Sequence, residues 1–220
     1  MKIALINGSP GAEKSVSYKM LFALEKRLGN DIEFVRILSI TGGVGISAEE
    51  LRGCDAVVFA FPVYMGAIPS QLLSFLRHIE TLRIGEVSGS SPKKVPAVYA
   101  VVGCGFIEGD NTKTAMDMLR IWSGRAGCEY RMSVGFGGGG IGRKLASGKG
   151  AGRKIGRALD SLARDILTKE VGEDIITKAG KPRWLYNLSG NRRWVSAAKK
   201  RGLKKKDMEL FYGNDVADGN

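Results

Sequence analysis

The chain has 220 residues, 44% hydrophobic and 25% charged, the proportions of a soluble globular protein with core enough for one domain and a modest appendage. No apolar run approaches the roughly 20 residues of a membrane helix, and Met1 leads straight into a strand, so neither membrane insertion nor a cleaved signal is expected. The net charge of +12 is uneven, because residues 178–206 hold eleven Lys and Arg and no acid; Cys54, Cys104 and Cys128 are too few and too scattered for a disulfide framework or a metal knuckle, which favours a reducing cytoplasm.

The first predicted element is a buried strand over residues 2–7 (KIALIN), stopped at once by Gly8, Ser9 and Pro10. Lys14, Ser15, Val16 and Ser17 then lead into a helix with Leu21, Leu24 and Leu28 on one face. In a strand-loop-helix unit the unpaired N–H groups of the helix N-terminus face the carboxyl end of the strand and attract an anion. The hydroxyls of Ser9, Ser15 and Ser17 add donors at the same point. Two readings stand, a phosphate cradle or an ordinary turn with Ser15 or Ser17 as N-cap. The turn contains neither Gly-x-Gly-x-x-Gly nor Gly-x4-Gly-Lys-Ser/Thr, which disfavours a dinucleotide crossover and a triphosphate loop. A monophosphate held by hydroxyls and amides remains.

Residues 31–38 alternate apolar and charged positions and suit an outer strand, and residues 41–46 read as loop. Residues 55–61 (DAVVFAF) form a continuous apolar run, as in a parallel strand buried on both faces. A loop over 62–69 follows, then a helix marked by Leu72, Phe75, Leu76 and Ile79, with Pro69 near its first turn. The next buried strand covers 95–102 and ends at Gly103, Cys104, Gly105 and Phe106. Ala115, Met118, Leu119 and Trp122 mark a helix, residues 132–136 a short fifth strand, and Ile155, Leu159, Leu162 and Ile166 the last long helix of the core. The alternation predicts an α/β fold, a flavodoxin-like three-layer sandwich whose five parallel strands run in the order 2-1-3-4-5. Residues 1–170 form that domain. Residues 171–220 form a basic C-terminal extension with Trp184, Tyr186, Trp194, Phe211 and Tyr212, expected to dock as short helices on the body or a partner subunit. Basic residues among aromatics also suit nucleic acid or an acidic surface, but no nucleic-acid motif accompanies them.

In this topology the loops after strands one, three and four meet at the carboxyl edge. The first offers phosphate donors. The second carries Tyr64 and Met65, able to flank a flat ring or simply to form a turn that packs partly in the core, with Gly66 allowing close backbone approach. The third carries Gly103 and Gly105, whose amides can reach a ring edge. A phosphate at one end and a plane at the other describe flavin mononucleotide.

The pattern of Gly8, Ser9, Pro10, Ser15, Ser17 and Leu21, with FPVYMGAIPSQLLSFLRH from Phe61 to His78, resembles the NADPH-dependent FMN reductases and flavodoxin-like NAD(P)H oxidoreductases over about residues 1–170. The resemblance implies FMN phosphate bound by Ser9, Ser15 and Ser17, in a loop that also holds Pro10, Lys14 and Val16. It implies the ribityl chain and isoalloxazine against Pro62, Val63, Tyr64, Met65 and Gly66 and against Gly103, Cys104, Gly105 and Phe106. It further implies electrons from NAD(P)H passed to a quinone, flavin, azo or nitro compound, or iron, and a homodimer. Gly11 stands where many relatives carry Arg or Lys, a charge that Lys14 can supply instead. The cysteines lack the compact cluster of iron–sulfur relatives, so no metal is expected, and electron-carrier flavodoxins are typically acidic and lack this tail.

Flavin chemistry asks the protein for position and electrostatics, with hydride passing from nicotinamide C4 to flavin N5 and on to the acceptor in a ping-pong cycle. No catalytic side chain is expected. The amides of residues 103–106 are candidates to stabilise charge near flavin N1 and O2. His78 lies in a helical pattern at least two turns from the loop, and Cys104 reads as a small buried thiol rather than a redox group. Residues 137–144 read either as a flexible rim or as a lid bringing Arg143 or Lys144 to the nicotinamide phosphates; Gly148-Lys149-Gly150 fails the triphosphate motif. The competing function is a non-catalytic flavin- or anion-binding module acting through the basic tail.

Overall fold

The structure is a computed structural model that describes residues 1–37, 40, 48–81, 95–139, 149–180 and 182–204. The expected loop at 41–46 and residues 140–148, with Arg143 and Lys144, lie outside the described residues. Contacts divide the chain into two compact units, Met1–Gly180 and Lys181–Asn220.

In the first unit, β1 (Lys2–Asn7), β2 (Glu33–Ile37), β3 (Ala56–Pro62), β4 (Ala97–Gly103), β5 (Glu129–Phe136) and β6 (Ile175–Thr177) form one sheet in the order β2-β1-β3-β4-β5-β6. Every pairing is parallel. The helices are α1 (Val16–Leu28), the short α2 (Ala48–Arg52), α3 (Ser70–Thr81), α4 (Lys113–Arg125) and α5 (Arg153–Thr168). Alternate residues of each strand point to opposite faces, and two cores follow. Ala4, Ile6, Val57, Phe59, Val98 and Val102 pack with Leu72 and Leu76 of α3 and Leu119 and Trp122 of α4. Ile3, Leu5, Val58, Ala60 and Val101 pack with Met20 and Leu24 of α1 and Leu159 and Leu162 of α5. Trp122 meets Phe59 edge-to-face, ring centroids 5.5 Å apart, and its Nε1–H donates to the Leu76 carbonyl at 2.8 Å, joining the two helices on that face.

The flavodoxin-like order is present, extended by a sixth strand where five were expected. β6 has three residues, too few for a periodic signal, and it follows Glu173 and Asp174. What holds it is the Asp174 carboxylate. One oxygen accepts from the Tyr130 hydroxyl at 2.8 Å and from the Ser133 N–H at 2.7 Å, and the other pairs with Arg120, whose guanidinium lies 4.7 Å from the Tyr130 ring centroid. Glycines then let the loops close over the strand. A Cβ on Gly109 would lie 2.3 Å from the Thr177 carbonyl oxygen, and one on Gly137 would lie 2.2 Å from that of Ile107.

The described part of the second unit is one helix, α6 (Arg183–Lys200), which begins after Pro182 and runs 18 residues, rather than the short helices expected. Among the described residues, no helix is long and apolar enough to cross a membrane.

Asp174→Ala strands the Ser133 amide and removes the Arg120 pairing, a loss of about 1–3 kcal/mol for the buried donor alone. The melting temperature should fall by roughly 4 °C or more, with faster amide exchange at Ser133–Phe136 and unchanged exchange in β1 and β3. Wild-type exchange across β5 would show that the carboxylate does not hold this edge.

Candidate active site

The carboxyl ends of β1, β3, β4 and β5 surround a cavity of about 480 Å³. Its base is set by Asn7, fully buried at the end of β1. The Asn7 Oδ1 accepts from the Ser9 N–H at 3.2 Å and from the Ser15 hydroxyl at 3.5 Å, and its Nδ2 donates to the Ala12 carbonyl at 2.9 Å. The loop is thereby folded around one amide side chain. A 3-10 turn over Ala12–Lys14 follows, and Ser15 caps α1 by accepting the Tyr18 N–H at 3.1 Å.

Capping uses one first-turn donor and leaves two open. The N–H groups of Val16 and Ser17 have no acceptor among the described residues. The Ser17 hydroxyl, largely buried, likewise makes no hydrogen bond among them. Both residues line the cavity, with Ser9, Gly11, Ser15 and Lys14. Lys14 forms no ion pair among the described residues. Open amides, hydroxyls and a cation at the positive end of a helix are the donor set that a phosphate monoester requires.

The opposite walls are less polar. Pro62, Val63 and Tyr64 line one, held to β4 by the Val63 N–H donating to the Gly103 carbonyl at 2.8 Å. Gly103, Cys104 and Gly105 line the other, held to β5 by the Cys104 N–H donating to the Phe136 carbonyl at 2.9 Å. The Cys104 amide is therefore spent on the sheet. The Cys104 thiol points to the Glu108 carbonyl at 2.9 Å, and burial pushes its pKa up, which keeps it protonated. A Cβ on Gly105 would meet nothing within 4 Å, so this turn presents open backbone.

Eleven of the fifteen expected site residues line the cavity; Pro10, Met65, Gly66 and Phe106 do not. Tyr64 and Ala67 exchange backbone hydrogen bonds of 3.1 and 3.0 Å around Met65 and Gly66, whose φ values of 52° and 79° are those of a tight hairpin turn. Met65 is at its tip, 104% exposed, and Tyr64 is 55% exposed, so neither packs in the core. Phe106 is exposed too. Phe136 and Gly139 line the cavity unexpectedly, brought in by the Gly139 N–H donating to the Cys104 carbonyl at 2.8 Å. His78 lies in the last turn of α3 and is not part of the wall. A larger cavity of about 600 Å³ between α3 and α4 has no such donor set, and its Arg125 and Glu80 pair with each other at 2.8 Å.

The profile of the NADPH-dependent FMN reductases matches residues 1–126. The chain belongs to this family. It is accordingly an oxidoreductase that works with FMN and NAD(P)H, in place of a non-catalytic module. Solved structures share its fold at 14% identity. An NAD(P)H:quinone oxidoreductase from Methanothermobacter marburgensis aligns over 76% of this chain and 96% of its own, with a TM-score of 0.53. An NADPH-quinone reductase from P. pentosaceus aligns over 75% and 96%, also at 0.53. A flavodoxin from Streptococcus pneumonia TIGR4 aligns over 76% and 98%, at 0.51. No curated protein matches the sequence. Phe136, Gly139, β6 and the second unit all lie beyond the matched residues.

Melting of the apoprotein separates the roles in the first loop. Asn7→Ala strands buried partners and should lower the melting temperature by about 4 °C or more, and Ser15→Ala removes a cap and should lower it by roughly 2–4 °C. Ser17→Ala should leave it unmoved. An equal loss for Ser17→Ala would make that hydroxyl part of the fold.

Proposed function

We propose that FMN binds in this cavity with its phosphate at the open N-terminus of α1 and its ring against Pro62, Val63, Tyr64 and the 103–105 turn. The donor set at Val16 and Ser17 carries this reading. Among the described residues those groups, buried or half-buried, lack partners, and they flank Lys14, a cation without a counter-ion among the same residues. Ser9 and Ser15 hold the loop in shape, and the Ser9 hydroxyl keeps its proton for the same point. Pro10 stiffens the loop. Met65, Gly66 and Phe106, each close in the chain to a wall residue, form a rim that the substrates meet.

The chemistry supplied by bound FMN is hydride transfer from NAD(P)H and on to the acceptor. The chain's own part is to orient and to exclude water. The sheet-bound amides of Val63 and Cys104 fix the two walls, the protonated Cys104 thiol stays turned to Glu108, and among the described residues no carboxyl or imidazole stands at the wall. A small acceptor fits this site, whether a quinone, a free flavin, an azo or nitro compound, or iron. Two fold neighbours are named quinone reductases, which makes a quinone the first to assay. The proposal includes a homodimer, to which the α3–α4 groove, with exposed Leu73 and Ile121, offers apolar surface; light scattering reads the mass directly.

Under anaerobic conditions the yellow holoprotein should bleach on addition of NADPH or NADH and regain its colour when a quinone is added. Flavin that binds but is bleached by neither nucleotide would contradict the oxidoreductase reading at this cavity. Ser17→Ala should weaken FMN binding by about tenfold or more, the equivalent of one hydrogen bond to a charged acceptor. Riboflavin, which has no phosphate, should bind the variant as it binds the wild type; a loss shared by both ligands would move the phosphate elsewhere.

A further inference from the structure

The helix of the second unit has an uneven surface. At 3.6 residues per turn, Trp194, Asn187, Ala198, Asn191, Trp184, Val195 and Leu188 occupy one arc of about 120° on α6. No charged position falls within it. Arg183 borders one edge and Lys199 the other, and Arg192 and Lys200 lie on the remaining surface. Trp184 is 68% exposed, Trp194 71% and Leu188 41%. Residues 181–204 hold eight Lys and Arg and no acid.

We propose that α6 lies flat on anionic lipid bilayers, its tryptophan arc at the headgroup boundary and its cations among the lipid phosphates. Each half of this arrangement has a physical cause. Indole rings favour the interface between headgroups and acyl chains, where one edge is apolar and the N–H finds water. Lys and Arg at the borders of an uncharged, tryptophan-bearing arc lay their stems along it and reach outward to phosphate. One apolar helix face binds reversibly, and a polybasic surface supplies the second signal that makes attachment stable. The helix is too charged to cross a bilayer, and among the described residues none qualifies as a span. Nucleic acid would want cations and stacking rings turned into the same groove, whereas here they occupy separate arcs. Held at a surface, the reductase unit meets acceptors that partition into lipid; that consequence, unlike the binding, rests on the function proposed above.

The test is sedimentation of the full-length holoprotein with vesicles of phosphatidylcholine, with and without phosphatidylglycerol, at low and high salt. Binding should be at least tenfold stronger to the anionic vesicles and should weaken as salt rises. Tryptophan emission should shift to the blue on binding, a change assignable to Trp184 and Trp194 because Trp122 is already buried. Trp184→Ser with Trp194→Ser should abolish the attachment while FMN content and NADPH oxidation stay as in wild type. Lys199→Gln with Lys200→Gln should weaken it and flatten its salt dependence. No attachment to anionic vesicles would overturn the proposal, as would unchanged attachment of the tryptophan variant. So would binding to duplex DNA without binding to vesicles, or indole emission already blue-shifted in the lipid-free protein, the sign of cover by a second copy or by the chain's own last residues. Because the readout is attachment, a failure here leaves the flavin chemistry standing, and a failure to bleach leaves this result standing.

Discussion

A buried asparagine at the end of a strand decides what the first loop of this protein can do. β1 delivers Asn7 into the interior, where its amide must find partners or cost the fold a stranded polar group. It finds them in the loop that follows, at Ser9, Ala12 and Ser15. Once the loop is wrapped around that side chain, Ser15 is placed to cap α1, and the helix begins with Val16 and Ser17 amides facing open space rather than protein. The open end of the helix is thus a by-product of satisfying one buried amide. The same loop sequence with an apolar residue at position 7 would lose the constraint that aims it.

The rest of the site depends on the parallel sheet. Parallel strands deliver their following loops to one edge, and here four neighbouring strands contribute. Each wall is tied to the next strand by a backbone hydrogen bond, Val63 to Gly103, Cys104 to Phe136 and Gly139 to Cys104. This chain of bonds carries the cavity wall across β3, β4 and β5. Close loop packing continues it to β6, which lies past the residues matched by the family profile. The candidate site therefore stands on a sheet edge that extends past the matched residues.

The sequence showed the first loop, β3 and β4 plainly, because an apolar run cut off by Gly, Ser or Pro has few other readings. It also brought together eleven residues that line one cavity, since parallel topology fixes which loops meet. Three features were out of reach for physical reasons. Asn7 reads as the last residue of a strand, and only its three partners, five to eight residues on or closer, show that it organises the loop. β6 is three residues long, and its anchor, Asp174, acts through Tyr130 and Ser133, about forty residues away. Phe136 and Gly139 enter the wall through backbone bonds that leave no pattern in composition. Met65 and Gly66 left two readings open, a ring contact or a turn; with both at positive φ they form the tip of a turn.

The central claim is that the first loop is a phosphate site, and the ratio of FMN to riboflavin affinity in the wild-type protein measures it without any substitution. The two ligands differ only by the phosphate. Two open amides and a hydroxyl acting on a dianion predict FMN binding about a hundredfold tighter or more, with the advantage shrinking as salt rises. Equal affinity for FMN and riboflavin would contradict the account.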